Sequence, residues 1–520
     1  MRHRLGMAAL ALPVIALTAL SGCGSGQAGD AVSAGAAPPP HAGSLVKPRA
    51  NVLFIIADDF RPLIGAYGAQ VKTPNLDRLA AMGVRFTNAY AQFPICGASR
   101  ASFLTGLRPN TIGPDANFEK FRCAAPDIVT LPQYFKNAGY RSIRVGKAYH
   151  QGVPSDIGTA GPDDPASWTE TVNPSGHDHL PDTEKRIIRL TPGVGLGRAM
   201  AYLPSEAGDR DQTDGKVADA VVEALQRQDD TPFFMVAGFY RPHVPEVAPK
   251  AYFDLYPPDG ETAEDSPAAF DATLPVSRNS DVANLGMTGA QQRQMIAAYK
   301  ASVTFMDAQV GRVLDALEKS GKADSTIIVF TGDHGFLLGE HGMWAKNLLW
   351  DQATRVPLII RVPGMRDAGR ASTKTVEMVD LYPTLTQLAG LPHYARNQGN
   401  SLMPLLKDPD AASWDHPAFS QIYGARSIRL GKWRYSEWLK GTRGRELYDL
   451  DADPGERRNL ADDPRYAKVM TALSARLPEL LEKQSQPLLY RNPQADKPGR
   501  GSPPYPVVDN VNKCGLWNIG

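Results

Sequence analysis

The sequence predicts an α/β fold, on three observations. Apolar, β-branch-rich runs recur along the chain, as in "NVLFIIA" from Asn51 to Ala57, and such unbroken runs read as strands buried on both faces. Segments with helical spacing stand between them. The runs also end in charged residues, at the edge where open α/β sheets bind ligands. A composition shift near Leu391 marks a small α+β subdomain packed on the main sheet. The expected division is a leader over 1–22, a tether over 23–48, a main domain over 49–390, the subdomain over 391–490 and a Pro/Gly-rich tail over 491–520.

Met1 to Cys23 has a basic head (Arg2, Arg4), an apolar run from Met7 to Leu20 and small residues before Cys23. That is the layout of a secretory signal, and the run is short for a membrane span. Leu20-Ser21-Gly22-Cys23 resembles a bacterial lipobox, so Cys23 is expected to be lipidated and to anchor the protein outside the cytoplasm, on a periplasmic or extracellular face. Cleavage at another small residue, with simple secretion, is the alternative. Residues 24–48, rich in Gly, Ala, Ser and Pro, cannot build a core and read as a tether.

Asn51–Ala57 is expected to be a central strand ending at Asp58 and Asp59. In "TPNLDRLAAMG", Thr73 can cap a helix, Pro74 suits its first turn, Leu76, Leu79 and Ala80 share a face, and Gly83 stops it. "DIVTLPQYFKNAGYRSIRVGK" repeats helix then strand and delivers Lys147 and His150. "TPFFMVAGFYRPH" reads as a buried strand running out to His243. Met287 to Gly321 is a long helical stretch with a break expected near Tyr299, and "STIIVFTGDHG" is a strand ending at Asp333 and His334. Beyond Leu391, "QIYGARSIRLGKWRYSEW" and "RELYDLDADPGERRNL" read as short antiparallel strands with a Gly or Asp-Pro-Gly turn between them. An amphipathic helix over Asp463 to Gln484 follows. The alternation in "RSIRLGKWRY" fits a strand with one solvated face. "GVGLGRA" at 193–199 lacks the strand–turn–helix setting of a dinucleotide loop and reads as a plain loop.

About 470 residues follow the tether, enough for a large core. Without Arg2 and Arg4 there are 54 basic and 55 acidic side chains and no basic tail, so nucleic acid is not an expected partner. Of the four cysteines, three remain if Cys23 is lipidated, an odd number for an oxidising compartment. Cys123 and Cys514 can pair, although spacing does not decide it. No C-x-x-C is present, which leaves chemical conversion for Cys96.

Asp58, Asp59, Asp333 and His334 lie at the ends of two strands. Three carboxylates in one small cleft need a cation, because like charges raise one another's pKa. An oxygen-rich set favours Ca²⁺ or Mg²⁺ over zinc. Arg100, Lys147, His150, His243 and Lys346 supply the opposite sign and together would surround an anion. A sulfate or phosphate ester needs such a set, which tightens its hold as charge moves onto the oxygens and leaving group.

On "NVLFIIADDFRP", "TPNLDRLA", "CGASRASFLTG", "VGKAYH", "RPHVP" and "TGDHGFLLGEHGMWAK", the chain resembles the type I, formylglycine-dependent sulfatases, most closely their iduronate-2-sulfatase-like branch. The likeness runs from about Asn51 to "ELYDLDADPGERRNL". Ala98 stands where proline is commoner in the maturation signal, a variant that signal tolerates, and His334 where many members have asparagine. The resemblance implies an α/β, alkaline-phosphatase/sulfatase-like fold: a large mixed sheet flanked by helices, with a small C-terminal α+β subdomain. It implies a maturation enzyme that oxidises Cys96 to formylglycine. It also implies one divalent ion, Ca²⁺ before Mg²⁺, on Asp58, Asp59, Asp333, His334 and the converted Cys96, where a hydroxyl of the hydrated aldehyde attacks sulfur. Lys346 and His243 would bind the sulfate and protonate the departing sugar oxygen. His150 would deprotonate the second hydroxyl, while Arg100 and Lys147 would hold the nucleophile and stabilise charge. A helix from about Ala98 would bring its N-terminal amides to the anion. The implied substrate is a sulfated carbohydrate, a 2-O-sulfated uronic acid first. Recognition of the sugar would fall to the insert from Gly158 to Asp214, the turn from Phe336 to His341, and Trp438. Two other functions remain open: a phosphomonoester or phosphonate-ester hydrolase, and a lipoprotein that only binds glycans.

Overall fold

Asn51–Ala57 forms strand β1, and its alternating side chains serve two cores at once. Val52, Phe54 and Ile56 face one cluster; Leu53, Ile55 and Ala57 face the other. A strand buried on both faces has no place for a polar residue, which is why the run reads as unbroken hydrophobicity. In the computed structural model, residues 49–112, 121–263, 267–422 and 424–477 are described. The leader, the tether, the tail and Cys514 lie outside the described residues.

Seven further strands complete the main sheet: β2 (Val84–Tyr90), β3 (Arg141–Gly146), β4 (Glu170–Val172), β5 (Phe233–Gly238), β6 (Thr326–Gly332), β7 (Arg355–Arg361) and β8 (Ala371–Glu377). Their spatial order is β8-β2-β7-β6-β1-β5-β3-β4. Only β7 runs against the others, so the sheet is mixed, with β6, β1, β5, β3 and β4 consecutively parallel.

Helices α1 (Pro74–Met82), α2 (Cys96–Thr105), α3 (Leu131–Asn137), α4 (Thr213–Gln226), α5 (Gly289–Lys319) and α6 (Leu381–Leu388) cover both faces. Phe103, Leu104, Phe135 and Leu385 of α2, α3 and α6 pack on one face. Leu79, Val221, Val303 and Met306 of α1, α4 and α5 pack on the other. Each such fully buried side chain contributes about 1.5–3 kcal/mol of transfer free energy.

Three elements depart from expectation. Thr73 precedes α1 but makes no capping bond; Asp307 of α5 instead accepts from Asn75 N, Asn75 Nδ2 and Leu76 N at 3.2, 3.0 and 2.7 Å. Helix α5 runs unbroken for 31 residues, with Tyr299 fixed by its hydroxyl on the Asp59 carbonyl (2.7 Å) and its ring on Phe336. Strand β5 stops at Gly238 rather than His243. Phe239 N still bonds Ile56 O of β1 at 2.8 Å, but Tyr240 N and Arg241 N turn to the Asp214 carboxyl at 2.9 and 3.0 Å.

The subdomain sheet is a four-stranded antiparallel meander: β9 (Ala418–Ile422), β10 (Ala425–Leu430), β11 (Trp433–Trp438) and β12 (Gly444–Asp449). Gly431 makes the β10–β11 turn at φ +54°, whereas Asp453-Pro454-Gly455 falls after β12. The solvated arginine face is not found. Arg429 Nε donates to the Tyr90 hydroxyl (3.0 Å), and buried Arg434 pairs with Glu456 and donates to Leu349 O (2.8 Å). Arg429 thus joins the subdomain to β2, and Arg434 ties it to the segment before β7 through Leu349. Of the helix expected over Asp463 to Gln484, Pro464–Tyr466 is a 3-10 turn, α7 spans Ala467–Arg476, and residues 478–484 lie outside the described residues. Gly193 to Ala199 is a loop, as read. No helix among the described residues is long and apolar enough to cross a membrane.

Candidate functional site

The carboxyl ends of four neighbouring strands, β6, β1, β5 and β3, meet at one place. There β1 delivers Asp58 and Asp59, β6 delivers Asp333 and His334, and β3 delivers Lys147. The turn after β5 delivers His243. Close backbone approach at this edge requires glycine. Gly146 has φ +74°, and a Cβ on Gly238 would lie 2.0 Å from the Lys147 carbonyl oxygen.

Helix α2 begins at Cys96 itself, two residues before the expected start, so Cys96 occupies its first turn. The residue is 2% exposed. Its Sγ lies 2.9 Å from Lys346 Nζ, 3.4 Å from His334 Nε2 and 3.6 Å from Asp59 Oδ1, and it shares a hydrogen bond with His150. The thiol is free, which removes a disulfide from the readings of this cysteine. Cys123, by contrast, is disulfide-bonded; its expected partner is outside the described residues. Burial opposes ionisation of Cys96, but the charges of Lys147, Lys346 and His334 outweigh it and hold the thiol well below its ordinary pKa.

Arg100 sits behind residue 96, on the carboxylates. It donates through Nε to Asp333 Oδ2 (2.9 Å), through Nη2 to Asp58 Oδ1 (3.2 Å) and through Nη1 to Lys147 O (2.7 Å). Lys147 Nζ donates to Asp58 Oδ2 at 2.6 Å and Lys346 Nζ to Asp59 Oδ1 at 2.5 Å. Burial and Cys96 push the Asp58 carboxyl up, yet Lys147, His243 and Arg100 prevail and hold it below the usual range. Burial dominates at Asp333, whose pKa rises to about 6. His334 rises to about 9: burial works against its charge, but Asp333 and Cys96 favour it. Burial, helped by Lys147, lowers the His150 pKa against the opposing pull of Cys96 and Asp58.

Asp59 takes a left-handed conformation, φ +61°, which costs about 1–2 kcal/mol for a side chain of L configuration. It is held there by its N–H on Asp333 Oδ1 (2.9 Å) and its carbonyl under Tyr299. The strain aims its carboxylate into the cluster. Ligand atoms of Asp58, Asp59, Cys96 and His243 lie within 4.8 Å of one another, as do those of Cys96, Asp333 and His334. The two groups overlap at Cys96. These residues fit a divalent cation: Asp59 Oδ2 is buried with no hydrogen-bond donor, and Lys346 bridges the other oxygen. His334 donates Nδ1 to Gly335 O at 2.8 Å, which leaves Nε2 turned toward the carboxylates, as a second-shell bond orients a metal-binding imidazole.

All the residues expected at the site are therefore brought together, His243 through Asp59 Oδ2 at 3.7 Å. Several supporting residues gave no local signal. Ser99 Oγ bonds the Asp333 carbonyl, Tyr299 holds Asp59, and Asn279 Nδ2 fixes the segment around Lys346 through Trp344 O (2.7 Å) and Lys346 O (3.2 Å). Three positions expected to read a sugar are instead buried. Phe336 stacks on Tyr299, His341 stacks on Trp350 at 3.9 Å, and Trp438 lies in the core at 2% exposure.

Comparison with known proteins follows the same lines. Residues 50–391 match the family described as Sulfatase, and residues 339–483 the one described as N-sulphoglucosamine sulphohydrolase, C-terminal. A protein named Sulfatase from Formosa agariphila is 35% identical, covering 82% of this chain and 86% of that one. Iduronate 2-sulfatase of Homo sapiens is 33% identical, covering 81% and 93%. Among solved structures, a phosphonate monoester hydrolase of Agrobacterium radiobacter superposes with a TM-score of 0.67 at 25% identity, covering 84% and 96%.

Proposed function

Since this chain belongs to the sulfatase family, we propose that it hydrolyses the sulfate monoester of a carbohydrate, a 2-O-sulfated uronic acid first, through formylglycine derived from Cys96. The observation that carries this reading is the surroundings of residue 96: the first turn of a buried helix, with Lys346 at 2.9 Å and the carboxylate cluster behind it. Asp58, Asp59, Asp333 and His334 would hold one divalent ion, Ca²⁺ in this reading, which when bound lowers the pKa of a coordinated hydroxyl and offsets charge on the sulfuryl oxygens. Lys346 and His243, on the less buried side, orient the sulfate, and His243 gives a proton to the departing sugar oxygen. His150, which shares a hydrogen bond with residue 96 and whose pKa is lowered by burial, accepts a proton there. Arg100 and Lys147 fix the carboxylates. Because Cys96 is buried, its oxidation by a maturation enzyme must precede folding.

The similarity to a phosphonate monoester hydrolase supports one competing reading, a phospho- or phosphonate-ester hydrolase. A glycan-binding protein without catalysis is the other. Release of inorganic sulfate from a panel of defined sulfated sugars, with aryl sulfate and phosphonate esters alongside, separates them. Sulfate is expected from the sugars. Turnover confined to phosphonate esters would replace the sulfatase reading, and glycan binding without any turnover would leave the third.

We also place the protein outside the cytoplasm, held through lipid on Cys23; the support is the leader sequence. Cys23→Ser should stay unprocessed or leave the membrane fraction. A wild-type N-terminus that is unacylated and mapped to another residue would make it a secreted protein instead.

A further inference from the structure

His243 stands in a turn that no strand stabilises, five residues beyond the end of β5. Buried Arg241 organises that turn. Its Nη1 donates to the carbonyls of His243 (2.8 Å) and Pro245 (2.6 Å), and its Nη2 to Asp178 Oδ2 (2.8 Å). Both members of the pair are about 2% exposed at their side chains. The other oxygen of Asp178 accepts from Thr213 N (2.7 Å) and Thr213 Oγ1 (2.6 Å), so the acid is itself fixed. The chain beyond the turn is fixed too, because Glu246–Pro249 pairs in parallel with Ala201–Ser205. Asp178, Ala201–Ser205 and Thr213 all belong to the insert between Gly158 and Asp214. With the turn pinned, His243 Nδ1 bonds Val244 O at 2.6 Å and Nε2 is directed at the carboxylates, 3.7 Å from Asp59 Oδ2.

We propose that the Asp178–Arg241 ion pair is a positioning device for His243, so that the insert supports proton delivery to the leaving group as well as framing the cleft. A buried pair of this kind is weak evidence for stability, since desolvation offsets much of its attraction. Its geometry is specific, however: one guanidinium holds two carbonyls of the turn and one carboxylate of the insert. The inference rests on the sulfatase reading for the role of His243. When the ester bond breaks, the sugar alkoxide takes a proton from His243, whereas a nitrophenolate leaves without one. A displaced His243 must therefore slow the first reaction more than the second.

The test uses the full-length matured enzyme and the variants Asp178→Asn and Arg241→Lys. On the sulfated sugar, kcat is expected to fall about a hundredfold, the scale of a misplaced acid group, with KM raised to a similar extent on both substrates because His243 also orients the sulfate. On 4-nitrophenyl sulfate kcat should fall less than about fivefold. Independently of turnover, resonances of histidine-labelled protein should show the His243 Nδ1–H held in its hydrogen bond to Val244 O in the wild type, with that bond weakened or lost in the variants. If Asp178→Asn does not fold, Thr213→Val, which removes one of the bonds to Asp178, should give a smaller loss in the same direction. Equal losses on both substrates, or an unmoved His243 resonance, would overturn the proposal. A wild type that releases sulfate from neither substrate sinks the sulfatase reading instead, and the resonances alone then decide the positioning role.

Discussion

Replacing Cys96 with alanine is expected to reduce sulfate release by about 10⁴-fold or more, the scale on which enzymes lose rate when a covalent nucleophile is deleted. The fold should survive the change. Cys96 is a small buried residue, and Lys346 and His334, which flank its sulfur, both keep Asp59 as a partner. The circular dichroism and melting temperature of Cys96→Ala should thus stay close to wild type while turnover disappears. The same position gives a chemical signature. Conversion of the thiol to an aldehyde lowers the mass of the peptide carrying residue 96 by about 18 Da, a change visible in protein from the native host. Fully active enzyme with an intact Cys96 thiol would refute the mechanism.

A thiolate acting only as metal ligand is separated by the state of residue 96, since Cys96→Ala loses a ligand under either reading: a thiolate ligand keeps its thiol mass in active enzyme, whereas the converted residue shows the loss of about 18 Da.

Much of the site was legible because it is built at strand ends. Asp58, Asp59, Asp333 and Lys147 each follow an apolar run directly, and the parallel pairing of β6, β1, β5 and β3 turns four sequence neighbourhoods into one place. Residues that act across the fold left no such trace. Asp307 caps α1 from 231 positions away, and Asp178 meets Arg241 across 63; neither spacing has a period. The break expected near Tyr299 is absent, and the Tyr299 hydroxyl instead holds Asp59 in its left-handed conformation. The arginines of β10 and β11 were misread for a related reason. Alternation separates two faces but does not say that the charged face is solvated, and here Arg429 and Arg434 meet Tyr90 and Glu456 in the interior.

Asp59→Asn should abolish divalent-ion binding and slow turnover by a hundredfold or so, a loss comparable with removing a strong electrostatic stabiliser of the transition state. The carboxylate is unusual in this cluster. One oxygen carries Lys346 and faces His334, while the other is buried without a hydrogen bond, His243 Nε2 standing 3.7 Å off. An anionic oxygen left so in the interior is costly, and a cation at this point removes the penalty. Lys346 cannot serve both Asp59 and an incoming sulfate at full strength, so the need for a second positive partner grows when substrate binds. Asparagine keeps the size of the side chain but removes the charge. It also presents an amide N–H₂ either to the donors on Lys346 and His334 or to the side facing His243, where a cation would meet it. The left-handed backbone is tolerated by asparagine, so the variant should fold. Binding can then be read without turnover. A ligand at a hundredfold excess over its Kd stabilises the native state by about 2.7 kcal/mol, so saturating Ca²⁺ should raise the melting temperature of the wild type and leave Asp59→Asn unmoved. Unaltered metal content in the variant, or stoichiometric zinc in fully active wild-type enzyme, would show that these oxygens do not make the calcium site argued for.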